Sequence, residues 1–97
     1  LVVGVLEISL GIDAADSLKA KRKVVRSLVE RTRHRFNCAA AEVGSQDVHT
    51  RALIGVTVVA DDSRFVNSML DKILDAIEDQ AIGRAEVLDH RLEILHV

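Results

Sequence analysis

Ninety-seven residues, 48% of them hydrophobic and 29% charged, make one domain's length of chain, and a chain this size buries roughly 60 to 70% of the surface it exposes unfolded, enough for a single core. Two Phe are the only aromatic residues, so that core is aliphatic; the lone cysteine, Cys38, excludes an internal disulfide and any site built on several thiolates, and neither metal nor cofactor is expected. The formal charge of −2 is the sum of two opposite poles.

Residues 2–12 place Val2, Gly4, Leu6, Ile8, Leu10 and Ile12 on one phase and Val3, Val5, Glu7 and Ser9 on the other, the period of a strand. The stretch lacks a basic leader and contains Glu7, so neither a signal peptide nor a membrane span is expected, and the protein is expected in the cytoplasm. Its start at Leu1 instead of Met is expected to reflect an initiator removed or left out. Residues 13–16 form a polar connection, and Ser17 can cap a helix by accepting from the free amides of its first turn. In that helix Leu18, Val25, Leu28, Val29, Thr32 and Phe36 share one arc, which turns Lys19, Arg22, Lys23, Arg26 and Arg33 to water. Residues 37–43 read as a short alanine-rich strand and residues 44–47 as a hairpin turn. Residues 52–60 are apolar at nearly every position, as in a strand flanked on both edges. Asp61, Asp62 and Ser63 offer capping oxygens ahead of Phe65, Val66, Met69, Leu70, Ile73, Leu74 and Ile77, a second helix that Gly83 can end. Over residues 87–97, Leu88, Leu92 and Ile94 alternate with Asp89, Arg91 and Glu93, a half-wet edge strand.

With no proline, linker or repeat, residues 1–97 form one unit. The order βαββαβ, with the first and third strands most apolar, predicts a four-stranded antiparallel sheet of order 4-1-3-2 carrying both helices on one face, the α+β ferredoxin-like sandwich.

Several segments carry a more specific likeness. Residues 17–22, 24–28 and 35–37, then 41–43, Gln46-Asp47, Gly55-Val56 and residues 62–74 resemble the YlxP-like family of small bacterial domains of unknown function. The resemblance implies a ferredoxin-like fold and a gene often found beside those for translation initiation and ribosome assembly. Gln46 and Asp47 match the family's hairpin loop, while Ser45 and His49 stand where relatives carry a histidine and an aromatic residue.

Residues 17–35 hold eight Lys/Arg against Glu30 alone, a formal +7, and the rest of the chain holds five against fourteen acids, a formal −9. The wet arc of the second helix carries Asp71, Asp75, Glu78 and Asp79, so a polyanion would choose the first helix. Ser17, Lys19, Lys21, Arg22, Lys23, Arg26 and Arg33 are the candidate phosphate or RNA contacts. Lys21 is the odd member, because the wheel turns it to the apolar side of the first turn, from which it must reach over the sheet end to water or an anion. The bland alternative is a snorkelling Lys21 on a solvated face.

The sheet offers no aromatic side chains on which RNA bases could stack, so only backbone-directed contact with structured RNA or the ribosome is expected. Cys38, His34, His49, His90 and His96 have neither ligand nor catalytic spacing, and the loop at residues 11–16 has two acids, one glycine and no arginine, unlike the phosphate cradle of the acylphosphatases that share this topology. A non-enzymatic factor that acts around RNA or the ribosome, docking its basic first helix on phosphates, is therefore the leading expectation. The alternative is a small-ligand or protein-partner module, monomeric or homodimeric, that uses the open sheet face (Val3, Val5, Leu53) and the hairpin loop with Gln46 and Asp47.

Overall fold

Alternation along two strands lays out the core. In the computed structural model, which describes residues 1–12 and 16–97, β1 (Val2–Gly11) buries Val2, Leu6, Ile8 and Leu10 on one face, and β3 (Arg51–Ala60) buries Ala52, Ile54, Val56 and Val58 on the same one. The two pair antiparallel from Val2 opposite Ala60 to Gly11 opposite Arg51. β2 (Ala39–Gly44) joins β3, and β4 (Glu86–His96) joins β1, both antiparallel. The sheet order is β2-β3-β1-β4, the expected 4-1-3-2 read from the other side. The polar connection expected over residues 13–16 lies outside the described residues except for Asp16.

Both helices cover the buried face. α1 (Leu18–Arg35) lies over β2 and sends Val25, Leu28 and Val29 inward; α2 (Ser63–Ala81) lies over β1, β3 and β4 and contributes Val66, Leu70, Ile73, Leu74 and Ile77. Gly4 lets α2 approach, because a Cβ there would overlap Val66 Cγ1 and stand 2.7 Å from Leu70 Cδ1. Ser17 caps α1, its Oγ accepting from the Ala20 amide at 3.1 Å, and Asp62 caps α2 from Arg64 at 3.3 Å. Gly83 takes the left-handed conformation (φ +83°) just past α2. Neither helix is long and apolar enough to cross a membrane.

One expected phase is corrected at the edge. The β1–β4 register slips between Ser9, opposite Asp89, and Leu10, opposite Val87. That bulge reverses the alternation, so Val87 packs against the core and Leu88 turns to the open face, 47% exposed, although it shares parity with Leu92 and Ile94.

Candidate functional site

Lys21 is the most instructive side chain in the molecule. It is 0% exposed, among the largest fully buried side chains. From the first turn of α1 it runs inward over the end of the sheet. Its Nζ donates to the carbonyls of Ser45 at 2.7 Å, Arg51 at 3.2 Å and Gln46 at 3.3 Å, and it lies 2.9 Å from Glu42 Oε2. The strand period explains the meeting: Glu42 stands opposite inward-facing Ile54, so its carboxylate points beneath α1. Among the described residues the ammonium is the one partner of that buried oxygen. The anion Lys21 reaches is therefore internal, and Lys21 leaves the set of candidate phosphate contacts. It closes the β2–β3 hairpin, whose Ser45 has the positive φ of 59° uncommon for a residue with a Cβ.

Ser17 commits its hydroxyl to the α1 cap. The other candidates keep to the outside. Lys19, Arg22, Lys23 and Arg26 are exposed along α1, joined by Arg31, which the sequence reading did not single out. Among the described residues none of these five lies within ion-pair distance of a carboxylate, and Lys21 is the α1 cation that does. Arg33 is exposed but tethered, its Nε donating to the Ala40 carbonyl at 2.9 Å, and Arg35 sits 5.2 Å over the Phe36 ring. The acids of α2, Asp71, Asp75, Glu78 and Asp79, are likewise exposed, and Arg84, in the turn past the end of α2, donates to Ser27 Oγ of α1 at 3.2 Å.

The two features singled out separately in the sequence, basic helix and hairpin loop, meet in one place. Arg22, Arg26 and Arg33 fall on the flank of α1 that faces the hairpin and form one wall of a groove of about 480 Å³, with Gln46 and Asp47 on the opposite wall. Ser27, the acceptor of the Arg84 hydrogen bond, lies on the other flank with Lys23 and Arg31. Lys21, beneath the groove, fixes the backbone from which Gln46 and Asp47 project.

The remaining reactive groups do not converge. Cys38 is half-buried, and burial pushes its thiol above the ordinary value while nearby Arg33 opposes the rise only in part, so the nucleophilic thiolate is disfavoured. Among the described residues no three His, Cys, Asp or Glu side chains gather as a metal site. On the open sheet face Val59, Val3 and Leu95 are direct cross-strand neighbours, followed by Val5 between Thr57 and Glu93, and then by Glu7, 3.8 Å from Arg91. That face carries no aromatic side chain.

A family model described as "Protein of unknown function (DUF503)" matches residues 3–92. The uncharacterized protein YlxP of Bacillus subtilis (strain 168) is 30% identical over 77 residues, which cover 79% of this chain and 84% of that protein. Among solved structures the chain is similar to a de novo designed protein with ferredoxin fold, at a TM-score of 0.58 and 14% identity over 98% of this chain and 84% of that one. It is also similar to a candidate chlorite dismutase, at a TM-score of 0.65 and 7% identity over 96% of this chain, which spans only 42% of that longer protein. At such identities the likeness is one of fold.

Proposed function

We propose a role for this chain, which belongs to the DUF503 family of proteins of unknown function, from its own surface: it is a non-enzymatic factor that docks structured RNA, such as that of the ribosome, through the phosphates. One observation carries the reading. Lys19, Arg22, Lys23, Arg26 and Arg31 share one exposed surface of α1 on which Glu30 is the single acid, and among the described residues none of the five lies within ion-pair distance of a carboxylate. Cations already paired gain little from a phosphate, whereas unpaired ones release the counterions condensed on it, which gives affinity that falls steeply with salt. The sheet face, without aromatic residues, suits backbone contact better than base stacking.

Recovery of the tagged protein from cells at low and moderate salt tests the reading: ribosomal RNA accompanies it at low salt and is lost as salt rises. Replacing Arg22 and Arg26 together by Ala lowers the slope of log affinity against log salt by about two, one for each phosphate contact removed. Absence of RNA at both salt concentrations refutes the reading.

A second reading has its own observation, the apolar row Val59, Val3 and Leu95, with Val59 62% exposed. A second copy of the chain stacked on this face would cover it. Such a contact is apolar, so a dimer would persist at high salt and be lost in Val59→Lys, as read by sedimentation. A salt-insensitive monomer at high concentration refutes it.

A further inference from the structure

Phosphate contacts position a protein on a nucleic acid without distinguishing RNA from DNA. The groove beside α1 contains more than phosphate contact requires. Opposite Arg22, Arg26 and Arg33 stands the Asp47 carboxylate, which taken alone would repel a phosphate held by those arginines. Nor does the loop account for it. An aspartate in a turn earns its place by accepting from nearby backbone amides, yet among the described residues Asp47 accepts no hydrogen bond and enters no ion pair, and the turn is closed by Val48 N donating to the Ser45 carbonyl at 3.1 Å. Its neighbour Gln46 turns its amide nitrogen toward the Glu42 carbonyl at 3.4 Å, which leaves the amide oxygen open. The groove therefore has a wall of donors facing a wall of acceptors, and a matching ligand carries hydroxyl donors close to its phosphates.

We propose that Arg22, Arg26 and Arg33 hold phosphates along one strand while Asp47 and Gln46 accept hydrogen bonds from the intervening 2′-hydroxyls, so that the groove takes ribose and rejects deoxyribose. The proposal rests on the phosphate reading above and adds the sugar to it. Along α1, Arg22 and Arg26 are about 6 Å apart and Arg33 about 10 Å further on at the helical rise, so the three arginines lie along the length of one strand. In the groove Asp47 opposes any polyanion and compensates only when a hydroxyl proton reaches it, so it makes the discrimination. Lys21 is a positioning residue in this scheme, since it grips the Ser45 and Gln46 carbonyls and sets where the acceptors stand.

Three probes of one hairpin sequence separate the possibilities: RNA, DNA, and RNA methylated at every 2′-oxygen, which keeps the A-form shape but donates nothing from the sugar. The full chain, titrated by fluorescence anisotropy at low salt, is expected to bind the RNA about tenfold more tightly than the methylated RNA, the worth of one hydrogen bond to a charged acceptor. In Asp47→Ala that ratio falls toward one, with binding of the methylated RNA unchanged or tighter because a repelling charge is gone. Asp47 is exposed, so this variant is expected to fold, and circular dichroism checks it. Equal binding of RNA and methylated RNA by the wild type, both lost with salt, overturns the hydroxyl proposal and leaves phosphate docking standing. A preference unchanged in Asp47→Ala also overturns it, and failure to bind any of the three overturns both.

Discussion

Replacing Lys21 by Met keeps most of the buried stem and removes only the ammonium. Four oxygens then lose the ammonium together: the Glu42 carboxylate at 2.9 Å and the carbonyls of Ser45, Arg51 and Gln46 at 2.7, 3.2 and 3.3 Å, of which the Ser45 carbonyl keeps the Val48 amide at 3.1 Å. The carbonyls stand near the molecular edge and can be partly rehydrated. Glu42 is worse placed, since its side chain is only 18% exposed and Oε2 has no other partner among the described residues. Breaking a buried pair from one side costs about 3 to 5 kcal/mol, a large part of the roughly 5 to 15 kcal/mol that holds a domain of this kind folded. The expected result is a urea midpoint lower by at least about 1 M with the slope unchanged. Glu42→Gln should cost less, about 1 to 3 kcal/mol, because the ammonium keeps its three carbonyls and gains an amide oxygen. Lys21→Met with Glu42→Leu should recover most of the loss, since an apolar pair of similar volume often matches a buried ion pair. Lys21→Met within about 1 kcal/mol of the wild type would show that the ammonium is not holding the hairpin, and the account of Lys21 as an internal staple would be wrong.

Other perturbations test separate parts of the fold. Gly4→Ala forces a methyl group against Val66 and Leu70 and is expected to destabilise by about 1 to 3 kcal/mol in urea unfolding, where Val3→Ala on the open face does little. Ser17→Ala removes the acceptor of the Ala20 amide and should cost about 1 kcal/mol, which Ser17→Asp restores. Iodoacetamide should alkylate Cys38 with a pH midpoint above that of an unhindered thiol, because burial disfavours the thiolate, and Arg33→Gln should move the midpoint higher still by removing the one nearby charge that favours it.

The fold was legible because each strand with a buried face wrote it in period two and each helix in period 3.6. β1 and β3 repeat Leu6, Ile8, Leu10 and Ile54, Val56, Val58 without interruption, and α2 repeats Val66, Leu70, Ile73 and Ile77. What periodicity misses is a change of phase. In β4 the bulge opposite Ser9 and Leu10 sends Val87 inward and Leu88 outward, and the sequence offers two adjacent aliphatic residues with no sign of which is inside. The staple was half visible. Lys21 sat on the apolar arc of α1, and Glu42 sat on the parity of β2 that α1 covers, opposite charges on two faces that the topology presses together. The wheel takes Lys21 to the sheet end, where water or an anion is expected, and the anion it meets there is the chain's own Glu42. The groove could not be read at all, since it exists only once that staple brings Gln46 and Asp47 beside Arg22 and Arg26.

The inward turn of Lys21 also sharpens where a polyanion can dock. Pairing with Glu42 takes one charge out of the formal +7 of residues 17–35 and leaves +6 facing solvent. Those cations fall on two flanks of α1: Arg22, Arg26 and Arg33 line the hairpin groove, while Lys19, Lys23 and Arg31 share the rest of the exposed surface with Ser27 and Glu30. Of the α2 acids, Glu78 lines the cleft against β4, on the side away from α1. At physiological salt, charges act over about 8 Å, so a phosphate strand beside the hairpin meets Arg22, Arg26 and Arg33 together, whereas one on the other flank meets Glu30 among the cations. Changing Glu30 to Gln should raise affinity for RNA and DNA alike while reducing the effect of Arg22→Ala, because the strand then has a second flank on which to lie. If the Arg22→Ala effect is undiminished in that background, Glu30 plays no part in setting where the strand docks.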